Sequence, residues 1–158
     1  MKVLTVTQPY ATLIAIEAKL IETRSWSTSY RGQLGIHAAK GLGGVGGNEG
    51  YSKILLSEPF RSVLLEYMRN DDSTFPCFSD EDVKQLLPRG AIIAVAELVD
   101  IQPTIKVQIS DQERAFGDYS LGRSAWILRD VRRLEKPIPA KGKLGLWEYD
   151  LQADELRK

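Results

Sequence analysis

Over the first quarter of the chain, apolar positions run first at strand spacing and then at helical spacing. Lys2 to Val6 reads as a short strand. Pro9 suits the first turn of a helix. Tyr10, Leu13, Ile14 and Glu17 then recur on one helical face, so the spacing predicts a helix to about Ala18 whose buried stripe ends in an acid. Leu20 to Trp26 follows as a strand, and Gln33 to Ala39 alternates with Leu34, Ile36 and Ala38 on one face. Residues 41–50 hold six glycines and predict a loop with no regular element.

Farther on, Phe60, Val63, Leu64, Tyr67 and Met68 mark a helical stripe behind Ser57 and Pro59. Ser79, with Asp82 three residues on, resembles a capping box for a short helix through Val83, Leu86 and Leu87 that stops at Pro88. Ala91 to Val99 is an almost unbroken apolar run, the mark of a central strand. Ser124 to Leu134 and Leu144 to Asp150 complete a β-rich second half, with Lys136-Pro137-Ile138-Pro139 as a break between them. Strands enclosing helices predict an α+β fold, a small mixed β-barrel with helices packed at one side. Residues 1–158 read as a single domain, with a Gly-rich loop at 41–50 and a helical insertion at about 51–88.

Composition narrows this picture. The 158 residues include 21 basic and 21 acidic side chains, and zero net charge argues against a bulk polyelectrolyte binder of nucleic acid. One cysteine, Cys77, excludes a disulfide framework, and one histidine, His37, leaves too few ligands for an ordinary zinc site, so no metal or cofactor is expected. No apolar run is long enough to span a membrane, and a cytoplasmic setting is the expectation. The charge is unevenly spread. Lys19, Arg24, Arg31 and Lys40 face a single acid, Glu22, over residues 19–40, and a second basic strip runs over 129–143. Compensating acids gather at Glu66, Asp71, Asp72, Asp80, Glu81 and Asp82. The two basic strips are either solvated faces or surfaces that converge on an anionic ligand.

Several chemical patterns fail on inspection. Gly41, Gly43 and Gly46 spell G-x-G-x-x-G, but further glycines at 47 and 50 would interrupt the helix that a dinucleotide site needs. His37 lies in a predicted strand and reads as structural, and Cys77, between Pro76 and Phe78, as an apolar filler. One stretch stands out. If 20–26 is extended, Glu22, Arg24 and Trp26 share a face at intervals of about 6.6–7 Å, and Lys19 can reach the same mouth. Arginine offers a planar fork, tryptophan a stacking plane and glutamate an acceptor for amino groups. A lysine beside a glutamate also has the makings of a general base, so Lys19 and Glu22 are the catalytic candidates if the protein is an enzyme. The bland alternative is an ion-pair ladder on an edge strand. A second shaped loop, Arg114 to Arg123, carries Tyr119 and leads into the strand with Trp126.

These residues also carry a resemblance. Thr7-Gln8-Pro9-Tyr10, Lys19-x-x-Glu22-x-Arg24-Ser25-Trp26, Tyr30-Arg31-Gly32 and His37-Ala38-Ala39-Lys40 resemble an ASCH domain, as do Glu113 to Tyr119, Gly122-Arg123, Ala125-Trp126 and Lys143-x-x-Gly145-Leu146-Trp147. The resemblance implies a PUA-like mixed β-barrel with flanking helices and a cleft lined by the signature G-x-K-x-x-E-x-R. Lys19, Glu22 and Arg24 match it, while Glu17 stands at the glycine position and Ser124 where close relatives carry an aromatic residue.

By the same resemblance, the partner is RNA, single-stranded nucleic acid or a nucleoside-like ligand. Lys40, Arg31 and Arg123 would contact phosphate, and Trp26, Tyr119 or Trp126 would stack. The alternative it implies is an amidohydrolase that removes an acyl group from a modified cytidine, with a Lys, a strand Thr and a distant Glu as its working residues. Lys19 fits the first, Glu22 stands where the Thr is expected, and Glu97 is the candidate for the last. A protein-interaction module is the remaining reading.

Overall fold

The computed structural model describes residues 1–70 and 87–151. The predicted capping-box helix around Ser79, the residue Cys77 and the acids from Asp71 to Asp82 lie outside them. Six strands form one mixed sheet curled into a half-barrel, in the order β2-β5-β4-β3-β1-β6. They are β1 (Lys2–Val6), β2 (Ile21–Arg24), β3 (Gly32–Ala38), β4 (Ala91–Pro103), β5 (Ser124–Pro139) and β6 (Leu146–Glu148). Only β1 and β3 run parallel; the other pairs are antiparallel. The α+β class and the barrel-like sheet expected from the sequence are therefore present.

Strand alternation divides the residues between two faces. Leu4 and Val6 of β1 and Leu34, Ile36 and Ala38 of β3 point into the main core, against Ala11, Ile14 and Ala15 of helix α1 (Tyr10–Ala15). Val3 turns to the opposite face and packs with Ile92 and Trp147. A further apolar cluster joins Leu13 of α1 and Phe116 to the insertion, through Tyr51 of α2 (Gly47–Leu56) and Phe60 and Leu64 of α3 (Phe60–Asn70). Gln8 ties these parts together: fully buried, it accepts from Thr12 N at 3.0 Å and donates to Pro88 O at 2.7 Å. No helix among the described residues is long and apolar enough to cross a membrane.

Four expectations need correction. Residues 41–50 are not wholly loop: a 3-10 turn forms at Gly43–Val45 and α2 starts at Gly47. The glycines enable this start, because a Cβ on Gly50 would lie 1.9 Å from Val45 O. The prolines after Lys136 do not break the strand, since β5 runs on and pairs Ile138 with Ile92. Strand β2 pairs only along Ser124 to Ile127 of β5, so the later prolines sit where one edge of the strand is free. The last strand is shorter than predicted, spanning Leu146–Glu148.

The fourth correction concerns Glu17. Helix α1 ends at Ala15, and Glu17 is exposed in left-handed conformation, φ 62°. Leu13 O accepts from both Ala18 N and Lys19 N, the bonding of a helix that turns back through a residue usually glycine. Glu17 therefore ends no buried stripe and pairs with neither Lys19 nor Arg24. The glycine of the signature is a backbone requirement at this turn. Left-handed geometry costs a side-chain-bearing residue about 1–2 kcal/mol. Glu17→Gly is accordingly expected to raise the unfolding free energy by about 1 kcal/mol in a denaturant titration, after allowance for the greater freedom of glycine in the unfolded chain. A loss of stability would contradict this reading of the turn.

Candidate functional site

The turn at Glu17 swings Lys19 inward, at 1% exposure, immediately before β2. Its ammonium donates to Ile21 O and lies 3.5 Å from a carboxylate oxygen of Glu22. On the other side of that carboxylate, Arg24 Nε is 3.1 Å away. This second contact is an ion pair without an aligned hydrogen bond, since the Nε–H finds no acceptor. Arg24 is anchored instead through Nη2, which donates to Thr5 O at 2.6 Å. One carboxylate is thus shared by a buried lysine and a partly exposed arginine, and removing any member leaves a charge poorly compensated.

A loop on the far side completes the walls. Ser110 caps the short helix α4 (Asp111–Ala115) by accepting from Glu113 N at 3.1 Å. The Glu113 carboxylate then accepts from Leu20 N and Ile21 N, at 3.1 and 3.0 Å, and pins the loop over the start of β2. Beyond α4, Asp118 N donates to Thr23 Oγ1 at 3.1 Å. Arg123 donates to Asp118 O at 3.1 Å and Thr23 O at 3.2 Å. Hydrogen bonds from Ser120, more than the Arg123 charge nearby, hold the Asp118 carboxyl below its ordinary value. Gly117 has to be glycine here: an added Cβ would sit 2.8 Å from the Tyr119 ring.

Between these walls lies a cleft of about 510 Å³, within the size range of small-molecule sites. Of the residues that the sequence singled out, Glu22, Arg24, Trp26 and Arg123 line it. Trp26 is positioned edge-on against Trp126, with ring centroids 4.8 Å apart. Tyr10 contributes a phenol whose pKa burial raises, with a smaller push from the Glu22 charge, so it remains a donor at neutral pH.

Other predicted residues stand elsewhere. Lys19 lies behind Glu22 rather than on the cleft wall. Trp126 is fully buried and donates its indole N–H to Trp26 O at 3.3 Å, so it braces the stacking residue and offers no face of its own. Tyr119 sits behind Gly117, its hydroxyl buried without a partner, and burial followed by the charges of Glu113 and Glu22 pushes its pKa up. Arg31 is turned to Thr28 O, Tyr30 O and Asp100, away from the cleft. Lys40 belongs to a separate cavity. Glu97 pairs in the sheet with Gln33 and Arg129 and does not line the cleft.

Sequence reasoning did not single out Tyr10, Thr23, Phe116, Asp118 or Gly44 as cleft residues, yet all line it. Tyr10 and Phe116 to Asp118 did stand within the stretches that carried the resemblance. Gly44 gave no signal, because its approach to Thr7, made from the 3-10 turn, is a tertiary contact.

Among solved structures, the chain is similar to the crystal structure of ASCH from Zymomonas mobilis, at 14% identity and a TM-score of 0.47, covering 98% of this chain and 89% of that one. Two mutant structures of the same Zymomonas mobilis protein also match, at 14% and 15% identity, TM-scores of 0.47 and 0.46, 98% of this chain, and 91% and 89% of theirs. No curated protein matches. The ASCH domain model matches residues 4–138, from β1 to the end of β5, and takes in every residue of the cleft. On that match over most of its length, the chain belongs to the ASCH domain family.

Proposed function

We propose that the cleft binds a single unpaired or modified nucleotide, presented by RNA or as a nucleoside-like ligand. The observation that carries this reading is the setting of Arg24. Thr5 O and Glu22 fix one side of its guanidinium, while Arg24 remains on the cleft wall with Trp26 and Tyr10. A fixed planar fork beside aromatic rings suits a base or phosphate edge with a stacking face. Glu22 adds an acceptor for an exocyclic amino group. Membership of the ASCH family and the dimensions of the cleft support the same reading. So does the balance of charge: Lys19, Arg24 and Arg123 against Glu22 and Asp118 suit one nucleotide better than a long phosphate track.

The test is a titration of tryptophan fluorescence with nucleosides, acylated cytidine, short single-stranded RNA and duplex RNA. Saturable quenching by a nucleoside or by single-stranded RNA, and none by the duplex at the same concentration, is expected. No saturable change with any of them at low salt would overturn the reading.

The amidohydrolase alternative has one observation in its favour, the presence of Thr23 in the cleft wall beside Glu22. Against it, Thr23 Oγ1 already accepts from Asp118 N, and the Lys19 ammonium is engaged by Ile21 O and Glu22. Release of free acid from acylated cytidine, abolished by Thr23→Val, would favour the alternative.

A further inference from the structure

The two basic strips of the sequence do meet, but away from the Glu22–Arg24 cleft. Lys40, from the end of the first, and Lys141 and Lys143, from the end of the second, line a cavity of about 870 Å³. Among the described residues, no acidic side chain lines it and none of the three lysines has a carboxylate partner. Lys143 holds its ammonium 5.7 Å from the Trp147 ring centre. In a protein of zero net charge, three uncompensated cations at one concavity make a local anion-attracting field.

His37 forms part of the same lining. It alternates with Ile36 and Ala38, which enter the main core, so it projects to the opposite face of the sheet, beside Thr5 and Trp147. The residue is 1% exposed. Its Nε2 lies 2.9 Å from Ala140 O, and because a carbonyl only accepts, Nε2 carries the hydrogen. Nδ1 then holds a lone pair, and it has no hydrogen-bond partner. Burial lowers the pKa of this imidazole, with the Ala140 bond opposing, which keeps the ring neutral near pH 7. A Cβ on Gly142 would come within 2.7 Å of the ring, so glycine is what lets the lysine-bearing loop close over it. Anion donors therefore stand at one site, over a neutral imidazole that the Gly142 turn covers.

We propose that this cavity is a second ligand site, which takes a phosphate group: the phosphate lies among Lys40, Lys141 and Lys143, above the His37 ring that Gly142 covers. Thr5 links it to the first cleft, since its carbonyl holds Arg24 while its hydroxyl donates to Lys143 O at 3.2 Å. The phosphate comes either from a free nucleotide or from a neighbouring position of an RNA strand, and the two are separable.

His37 is the only histidine, so its ring signals in a carbon–proton correlation spectrum form an isolated probe. Titration of the wild type with ribose 5-phosphate should move them saturably, whereas ribose and sodium chloride at matched concentrations should not. In Lys141→Ala/Lys143→Ala, whose substitutions lie on exposed positions, apparent affinity should fall about tenfold. The response should persist in Arg24→Ala, which separates failure of this site from failure of the cleft. A response to mononucleotide at lower concentration than to single-stranded RNA identifies the free nucleotide as the source, and the reverse identifies the strand. Absence of a saturable shift in the wild type, or a shift undiminished in the double variant, overturns the proposal.

Discussion

A Lys19→Met protein is expected to unfold with about 3 kcal/mol less free energy than the wild type, read as a lower denaturant midpoint at unchanged slope. Methionine fills the space of the lysine stem, so the loss is electrostatic rather than a cavity. The substitution removes the donor to Ile21 O and leaves the Glu22 carboxylate, itself buried, with Arg24 as its remaining charged partner. Breaking a buried pair from one side is expensive because the survivor stays desolvated, whereas replacing both sides is much cheaper. Lys19→Met/Glu22→Gln should therefore recover most of the loss. A single variant as stable as wild type would show that the pair carries no stability, and its burial would need another explanation.

Arg24→Ala is expected to weaken ligand binding at the cleft by at least about tenfold, the scale of one lost charge-assisted contact. The measurement is the same tryptophan titration, with the ligand that the wild type selects. Arg24→Lys separates two causes. Lysine keeps the charge but presents no planar fork, and it cannot reproduce the anchoring bond to Thr5 O together with the approach to Glu22. If shape is what matters, Arg24→Lys binds almost as poorly as Arg24→Ala. If charge alone matters, it approaches the wild type. Wild-type affinity in Arg24→Ala would remove the residue from the site altogether. The fold should survive either change, because Arg24 lies at the end of an edge strand and is partly exposed.

Comparison of the two clefts shows how position along the chain misleads. Arg31 and Lys40 lie close in sequence to Lys19 and Arg24, and all four read as one basic strip. Strand β3 separates them: Arg31 stands at its start beside Asp100, and Lys40 past its end beside Lys141 and Lys143. Trp126 misleads differently. An indole in a strand next to an arginine reads as a stacking plane, yet β5 lies between β2 and β4, and Trp126 is fully buried in the main core. Only Trp26, just past the end of β2, keeps a face in the cleft.

Local pattern determined a good deal about this protein. Apolar runs and alternation located the six strands, helical spacing located α1 and α3, and the Glu22, Arg24 and Trp26 spacing picked out residues that line the cleft, because period and side-chain chemistry are local properties. Tertiary structure decided the rest. A left-handed residue at Glu17 buried Lys19, and close backbone approach at Gly50 turned a presumed loop into a helix. Closure of the loop from Asp111 to Arg123 over β2 supplied one wall of the cleft. Each of these depends on atoms that meet across long stretches of chain, and no local period records such a meeting. For the same reason the lysines of the second cavity, legible as two separate strips, came to line one concavity only when β3 and β5 were placed on either side of β4.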